Sequence, residues 1–242
     1  MADSHKDIKA ILLAGGKGTR LRPLTAVFPK PMVPLGHMPI IEILLNKIKN
    51  SGLKNVTVST GYLAELIMAL CGDGSKYGLA IDYIREDEPL GTAGPIGLID
   101  GLPENFIVMN GDLLTTLNFG KMIDFHIEND ADITIATYKR DVRIDFGVVD
   151  RDNEVFKGFS EKPTFHYDVS MGFNILSRRV LKYIEKNQYL DMPDLILKVH
   201  EDGGKVRCYQ EDCYWLDIGR MDDYAQAQLD FEENQQRFLG AE

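Results

Sequence analysis

An apolar segment runs into a glycine turn, and a series of prolines follows that turn. The segment 8–14, which is apolar except for Lys9, is followed directly by Gly15 and Gly16. The prolines are Pro23, Pro29, Pro31, Pro34 and Pro39. Because proline lacks a backbone donor and restricts the residue before it, we expect no long helix before about residue 40. The turn therefore opens a long irregular loop after a buried strand.

The loop carries the cations Lys17, Arg20 and Arg22, and Lys30 follows them. Glycines let backbone N–H groups approach a ligand closely, and such turns suit phosphate oxygens. The Walker pattern does not match the spacing, and Leu21 stands where the dinucleotide fingerprint needs its third glycine. The loop indicates a nucleoside triphosphate site of another kind, although Lys17 and Arg22 could equally be solvated charges.

Composition limits the classes of protein that this chain can represent. The 242 residues carry a net charge of −10, and nonspecific nucleic-acid binding needs basic surface. Cys71, Cys208 and Cys213 form no Cys-x-x-Cys pair, so we interpret them as reduced thiols. No apolar run approaches the ~20 residues that cross a bilayer, and the polar start is no signal peptide. We expect a cytoplasmic protein that binds neither nucleic acid nor membrane.

Strands and helices alternate in the first half of the sequence. Apolar stretches predict strands at 8–14, 56–60, 80–85 and 106–110. Helices are predicted between them at 40–50, 64–70 and 92–99. This alternation implies an α/β fold, with a Rossmann-like, mixed and mostly parallel central sheet covered by helices on both faces. Ligands of such sheets gather at the carboxyl ends of strands, where the glycine turn and Asn110-Gly111-Asp112 fall.

The second half of the sequence has a different pattern. Strands are predicted at 133–138, 147–150, 155–160 and 171–176. Few helices separate them, which indicates an antiparallel or mixed extension of the sheet. Helices are predicted again at 178–186, 193–201 and 222–237. No repeat or flexible linker interrupts the chain, so we expect one continuous domain.

Six blocks in a fixed order resemble those of sugar-1-phosphate nucleotidylyltransferases, and most those of the mannose-1-phosphate guanylyltransferase branch. The first block is Leu13 to Thr25 with the sequence LAGGKGTRLRPLT, followed by Pro29-Lys30-Pro31. The others are residues 88–94 (EPLGTAG), 110–112 (NGD), 146–149 (FGVV), 161–163 (EKP) and 214–219 (YWLDIG). These blocks extend over nearly the whole chain.

That family transfers a nucleotidyl group from a nucleoside triphosphate to a sugar 1-phosphate and releases pyrophosphate. The resemblance implies a single nucleotidyltransferase domain over 1–242, with a nucleotide-binding half at about 1–112 and a sugar-phosphate-binding half at about 113–242. Many relatives add a left-handed β-helix, whose hexapeptide repeats are absent from this sequence, so we expect none. The final helix, at 222–237, is a candidate homodimer interface.

The resemblance also implies roles for the charged residues of the site. Arg20, Lys30 and Asp112 are the implied catalytic residues. Arg20 would hold the β- and γ-phosphates with its forked donors, and Lys30 would contact the α-phosphate. Asp112 and Asp217 would hold Mg²⁺, which typically takes one or two protein carboxylates. Taken singly, Asp112 could be a turn residue and Asp217 a helix cap.

Recognition of the base is implied for Glu88. Guanine offers adjacent N1–H and N2–H donors that one carboxylate can accept together. Relatives specific for thymidine nucleotides tend to carry Gln at this position, so Glu88 favours GTP, with dTTP, UTP and CTP as alternatives. Glu88 could also be an exposed acid of the cluster 86–88. The implied nucleotide-binding residues are Leu13, Ala14, Gly15, Gly16, Gly18, Thr19, Glu88, Gly91 and Thr92.

The resemblance implies that Gly147, Glu161, Lys162 and Ser170 bind the sugar phosphate. Lys162 would bind the 1-phosphate, Glu161 would accept from hydroxyls, and Gly147 would let the chain approach the ring. The family often has Asn-Ala-Gly where this chain has Ser-Met-Gly at 170–172. The departure adds hexosamine and heptose phosphates to mannose phosphate as candidate substrates.

Two other classes of function compete with nucleotidyl transfer. A metal-dependent glycosyltransferase can use a similar sheet, but it usually holds its metal with Asp-x-Asp, which is lacking at 110–114. A non-catalytic regulatory relative would bind nucleotide sugar without turnover. Degraded motifs would favour it, whereas the residues that the family uses for catalysis are present here.

Overall fold

A computed structural model describes residue 5 and residues 7–240 of the chain. The strands are β1 (Lys9–Ala14), β2 (Pro34–Leu35), β3 (Met38–Pro39), β4 (Asn55–Thr60), β5 (Ala80–Arg85), β6 (Asn105–Asn110), β7 (Leu113–Thr115), β8 (Ile133–Arg143), β9 (Val148–Asp152), β10 (Val155–Ser160), β11 (Thr164–Ser177), β12 (Val206–Tyr209) and β13 (Trp215–Asp217). The α-helices are α1 (Ile40–Asn50), α2 (Ala64–Cys71), α3 (Phe119–Glu128), α4 (Met192–Glu201), α5 (Met221–Glu233) and α6 (Gln235–Leu239). None of the helices within the described residues is long and apolar enough to cross a bilayer.

The central sheet of the described residues has seven strands in the order β12-β8-β11-β6-β1-β4-β5. The pairs β1–β4, β1–β6, β4–β5 and β8–β12 are parallel. Only β11 runs against its neighbours, β6 and β8. The predicted α/β fold with a mixed, mostly parallel sheet is confirmed.

Hydrophobic residues pack on both faces of this sheet because side chains alternate along each strand. Ala10 and Leu12 of β1 point into one core, which also contains buried residues of α1, α2, α3 and α5. Ile11 of β1 points into the other core, together with Leu195 of α4. Helices therefore cover both faces, as the sequence predicts.

The proline-rich loop contains no long helix. It folds into single 3₁₀ turns at Thr19–Leu21, Leu24–Ala26 and Lys30–Met32, followed by the short β2–β3 ladder. The helix α1 begins at Ile40, directly after Pro39. The expectation drawn from the prolines is confirmed.

Two predicted α-helices are wrong in type. The segment 92–99 contains a 3₁₀ helix at Gly94–Leu98, and the segment 178–186 contains one at Arg178–Tyr183. In the first, glycine and proline disfavour an α-helix. A Cβ on Gly94 would also lie 2.5 Å from the Gln188 carbonyl oxygen, so the backbones approach too closely for a larger residue.

Other boundaries differ from the predicted ones. The last predicted helix, at 222–237, is interrupted at Asn234, whose extended φ of −152° separates α5 from α6. The helix α3 was not predicted, although it carries a buried stripe of Phe119, Met122 and Ile123 and has Asn118 as its N-cap. The strand β12, which has little buried surface, was not predicted either.

His126 is the buried histidine of α3. Protonating its ring in the folded protein would cost free energy. The ring donates from Nε2 to Asn105 Oδ1 at 3.2 Å, so Nδ1 accepts from Thr134 Oγ1 at 2.7 Å. Burial, together with the nearby Arg179 guanidinium, lowers the pKa of His126 to about 4. The folded protein therefore contains the neutral ring.

We expect this histidine to destabilise the fold in acid. Because the unfolded ring binds a proton near pH 6.5 and the folded ring only near pH 4, stability falls as pH drops through this interval, by up to roughly 3 kcal/mol. Urea unfolding of the wild type and His126→Gln between pH 7 and pH 4 measures this, since the variant loses that part of the pH dependence. If the free energy of unfolding changed with pH equally in both proteins, His126 would not be the source of this acid sensitivity.

Candidate active site

Two adjoining cavities open at the carboxyl ends of β1 and β6. The larger cavity, of about 780 Å³, is lined by the glycine turn and by the segment that follows β5. The smaller cavity, of about 520 Å³, is lined by β11, α4 and β13. Leu13, Thr92 and Asn110 line both cavities, while Asp112 lines the larger and Asp217 the smaller.

The two carboxylates lie close together because of the short ladder between β7 and β13. Asp217 pairs with Leu113 in that ladder, and the Ile218 amide donates to the Asp112 carbonyl oxygen at 3.1 Å. Lys30 Nζ donates to Asp112 Oδ2 and lies 3.9 Å from Asp217 Oδ1. One ammonium group thus stands between the two carboxylates at the junction of the cavities.

The negative charge of Asp112 and Asp217 is only partly balanced by the single ammonium group of Lys30 between them. Burial raises the pKa of Asp217, and repulsion from Asp112 raises it further, while Lys30 and Arg20 act in the opposite direction. The Oδ1 atom of Asp112 is buried and has no hydrogen-bond partner within the described residues. A buried carboxylate oxygen without a partner is unfavourable unless a ligand supplies one.

These residues fit a divalent cation that is shared with a substrate. Mg²⁺ usually takes one or two carboxylates and completes its octahedron with phosphate oxygens and water. Asp112 Oδ1 and the Asp217 carboxylate would be its protein ligands. Among residue 5 and residues 7–240, no group of three or more His, Cys, Asp or Glu side chains forms a metal cage.

The glycine turn lines the larger cavity and also positions Lys30. Gly15, Gly16 and Lys17 are part of the cavity wall. Gly18 has a φ of +59°, and a Cβ there would lie 2.9 Å from Lys30 Cβ. Glycine permits both the left-handed backbone and this close approach, so the turn holds the lysine segment beneath it.

Arg20 lies at the edge of this cluster. Its guanidinium is beside Gly219, where an added Cβ would be 3.7 Å from Nη2. Arg20 is exposed, and no carboxylate of the described residues lies within 4.0 Å of it. Its forked donors therefore remain available for phosphate oxygens.

Glu86, Asp87 and Glu88 line the far wall of the larger cavity, and their environments differ. Glu86 accepts from Ser59 Oγ at 2.6 Å and from the Leu90 amide at 3.1 Å, so both of its oxygens are occupied. Glu88 is exposed and has no hydrogen bond within the described part of the chain. Glu88 was predicted from the sequence as a site residue, whereas the structural role of Glu86 was not predicted.

The turn at Gly91 and Thr92 joins the larger cavity to α4. Gly91 has a φ of +79°, and a Cβ there would lie 2.6 Å from the Leu190 carbonyl oxygen. The Thr92 amide and hydroxyl donate to Asp191 Oδ1 at 3.1 and 3.2 Å. Thr92 Oγ1 accepts from the Met192 amide at 2.7 Å, at the start of α4.

The residues named from the sequence do not all reach the cavities. Leu13, Gly15, Gly16, Glu88, Gly91, Thr92, Asn110 and Asp112 line the larger cavity, and Ser170 and Asp217 line the smaller. Ala14 is buried behind the turn, and Gly18, Thr19, Arg20 and Lys30 lie beside the larger cavity without forming its wall.

Three of the implied sugar-phosphate residues lie elsewhere. Gly147, Glu161 and Lys162 belong to an exposed arm formed by the outer parts of β8 and β11 and by the β9–β10 hairpin. Gly147 packs under the Phe159 ring, and none of the three lines either cavity. Sequence reasoning also missed the apolar wall that α4 gives to the smaller cavity, although the residues 192, 195, 196 and 199 show a helical apolar stripe.

Comparison with known proteins agrees with this geometry. The model of the family described as nucleotidyl transferase matches residues 9–234. The chain belongs to the nucleotidyl transferase family. It is 34% identical to the mannose-1-phosphate guanylyltransferase of Mycobacterium tuberculosis over 231 residues, which are 92% of this chain and 64% of that relative. This nucleotidyl transferase chain therefore spans less than two thirds of that relative's length.

Other relatives match over their whole length. The chain is 31% identical to the D-glycero-alpha-D-manno-heptose 1-phosphate guanylyltransferase of Aneurinibacillus thermoaerophilus, over 93% of this chain and 99% of that protein. The crystal structure of HddC from Yersinia pseudotuberculosis, complexed with GMP-PN, superposes with a TM-score of 0.70 and 26% identity. The superposition covers 93% of this chain and 99% of HddC. The resemblance inferred from the six sequence blocks is confirmed.

Proposed function

We propose that this nucleotidyl transferase couples GTP to a sugar 1-phosphate, giving a GDP-sugar and pyrophosphate. The observation that carries the proposal is the junction of the two cavities, where Lys30, Asp112 and Asp217 meet. The larger cavity would hold the nucleotide, and the smaller cavity the sugar. The guanylyltransferases among the relatives, and the guanine nucleotide in HddC, support GTP.

In this reaction an oxygen of the sugar phosphate attacks the α-phosphorus of GTP in line. A new oxygen–phosphorus bond forms as the bond to the β-phosphate oxygen breaks, and pyrophosphate leaves with the electron pair. The attacking oxygen is already anionic, so no general base is needed. Catalysis then depends on positioning and on neutralising charge.

Residues at the junction would supply that charge. Arg20 would bind the β- and γ-phosphates, and Lys30 would move from Asp112 toward the α-phosphate. Mg²⁺ bound by Asp112 and Asp217 would neutralise phosphate charge during the transfer. The backbone of Leu13, Gly15 and Gly16 would line the nucleotide.

Glu88 is the proposed reader of guanine because, unlike Glu86, it has unoccupied carboxylate oxygens facing the larger cavity. We expect Glu88→Gln to lower kcat/KM for GTP by about 10- to 100-fold, since an amide oxygen replaces a charged acceptor of two donors. The ratio of UTP to GTP activity should rise. Pyrophosphate release with each nucleotide measures both effects. Asp87→Asn, at an exposed acid of the same cavity wall, tests whether the effect is specific to Glu88. An unchanged base preference in Glu88→Gln would contradict this assignment.

The proposed function as a whole is tested by pyrophosphate release over a matrix of nucleoside triphosphates and sugar 1-phosphates. Release that requires both substrates and a divalent cation supports nucleotidyl transfer. Activity with UTP, dTTP or CTP but not with GTP would support nucleotidyl transfer and contradict the preference for guanine. Transfer of sugar from a finished nucleotide sugar, without pyrophosphate, would support a glycosyltransferase instead.

The arm residues remain part of this proposal. Gly147, Glu161 and Lys162 would bind the sugar phosphate if the arm approaches the smaller cavity when substrate is present, and Ser170 at its base already lines that cavity. The halves at about 1–112 and 113–242 would correspond to the two substrates. We place the reaction in the cytoplasm, which the free thiols of Cys71, Cys208 and Cys213 support.

A further inference from the structure

The smaller cavity has an unusually apolar lining for a site that would hold a sugar. Its floor is the sheet, at Val108 and Ile135, and α4 contributes Met192, Ile196 and Leu197 to its wall. Its volume of about 520 Å³ lies in the range of sites that enclose a complete small molecule. Sugar hydroxyls that face such a wall would lose hydrogen bonds to water without replacement.

One carboxamide interrupts this apolar floor. Asn174 of β11 pairs with Val108 on one side and Ile135 on the other, and it is one of the residues that line the cavity. The residue is only 4% exposed, and its Oδ1 atom has no hydrogen-bond partner in the described structure. Exchanging the oxygen and nitrogen of the amide would leave an unpaired donor at the same place.

Other buried polar side chains of the sheet are paired. Thr134 bonds to His126 at 2.7 Å, and Thr57 donates to Asp82. Asn174 therefore differs from its neighbours in offering a buried polar group with no partner. Such a group destabilises the ligand-free fold, and a ligand that pairs with it recovers the loss.

We propose that Asn174 selects a sugar 1-phosphate that carries an N-acylamino group, such as an acetamido group. This inference rests on the proposed function of the site. The acylamino N–H and C=O supply one donor and one acceptor, which complement the acceptor and donor of the Asn174 carboxamide. The methyl group of the acyl chain then packs against the apolar wall.

The chemistry of the lining favours this class over fully hydroxylated sugars. A hexose or heptose presents several hydroxyls, whereas within the cavity Asn110, Ser170 and Asn174 are the uncharged polar side chains that accompany Thr92 at its mouth. In an N-acylamino sugar, a planar amide with an apolar methyl end replaces one hydroxyl. The amide can pair with Asn174, and the methyl end can pack on the apolar residues around it.

The test compares matched substrates on the full chain with GTP and Mg²⁺. The substrates are N-acetylglucosamine, glucosamine and glucose 1-phosphates, and 4-acetamido-4,6-dideoxyglucose 1-phosphate with its free amine. We expect at least one acetamido sugar to exceed its amine and hydroxyl counterparts by about 10-fold or more in kcat/KM, as measured by pyrophosphate release.

The variant Asn174→Leu separates recognition from folding. We expect kcat/KM for the preferred acetamido sugar to fall by about 10- to 100-fold, while Tm of the ligand-free protein rises by about 2–4 °C because an unpaired polar group is removed. The control Thr134→Val removes a paired buried hydroxyl, so it should lower Tm and leave the sugar preference unchanged.

The outcomes distinguish this inference from the proposed function. No pyrophosphate with any sugar phosphate would reject nucleotidyl transfer itself. Turnover in which hydroxylated sugars outperform every acetamido counterpart would overturn the role of Asn174 and leave the reaction standing. If Asn174→Leu kept the wild-type preference for acetamido sugars, the role of Asn174 would likewise be overturned and the reaction would stand.

Discussion

Asp112→Asn lowers kcat/KM for pyrophosphate release by about 100- to 1,000-fold, the range expected when a preorganised group at the reacting phosphate is removed. The substitution keeps the shape of the side chain but removes the charge that would hold the cation. It also leaves Lys30 facing Asp217 alone. Initial rates with GTP and sugar 1-phosphate, over a titration of Mg²⁺, measure the effect.

The Mg²⁺ titration separates a role in metal binding from a general defect. We expect the variant to need a higher Mg²⁺ concentration for half-maximal rate. Without metal, the lost ion pair with Lys30 and the relieved repulsion with Asp217 change Tm in opposite directions. Asp100→Asn, at an exposed carboxylate that lines neither cavity, is the control. An Mg²⁺ dependence and rate equal to those of Asp100→Asn would show that Asp112 does not hold the cation.

Arg20→Ala lowers kcat by about 1,000-fold or more, because an arginine that stabilises a departing phosphate contributes effects of this size. The residue is exposed and makes no ion pair within the described residues, so the substitution should leave Tm within about 1–2 °C of the wild type. The reverse reaction, with GDP-sugar and pyrophosphate, gives a second readout. There we expect the KM for pyrophosphate to rise strongly.

Arg22→Ala is the matched control for Arg20→Ala, because Arg22 is an exposed arginine of the same loop and lines neither cavity. It should retain most of the wild-type rate. If both variants lost activity equally, the loop would act through its overall charge and not through Arg20. A rate for Arg20→Ala near that of the wild type would remove Arg20 from the mechanism.

The parts of the fold that depend on local rules could be predicted from the sequence. Proline geometry placed the start of α1 at Ile40, and the alternation of apolar strands and helices gave the parallel sheet. The glycine and proline that disfavour an α-helix at Gly94–Leu98 are visible in the sequence, but the close approach of Gly94 to Gln188 is a tertiary contact that local rules do not predict. The missed helix α3 is different, because its cap and apolar stripe are visible in the sequence.

The candidate site was only partly accessible from the sequence. Motif order predicted the turn, Lys30 and both carboxylates as site residues, but it did not predict that Lys30 contacts Asp112 in the ligand-free protein. That contact depends on the β7–β13 ladder, which joins residues about a hundred positions apart. The unpaired amide of Asn174 was equally hidden, since its neighbours Val108 and Ile135 come from other strands.

The hydrogen bonds between Thr92 and the start of α4 link the walls of the two cavities. Thr92 lines both cavities, and its hydrogen bonds to Asp191 and Met192 connect it to the helix that lines the smaller cavity. A nucleotide that shifts the turn would therefore shift the helix with it. The free energies of binding the two substrates would then be coupled, and each substrate would change the affinity for the other by the same factor.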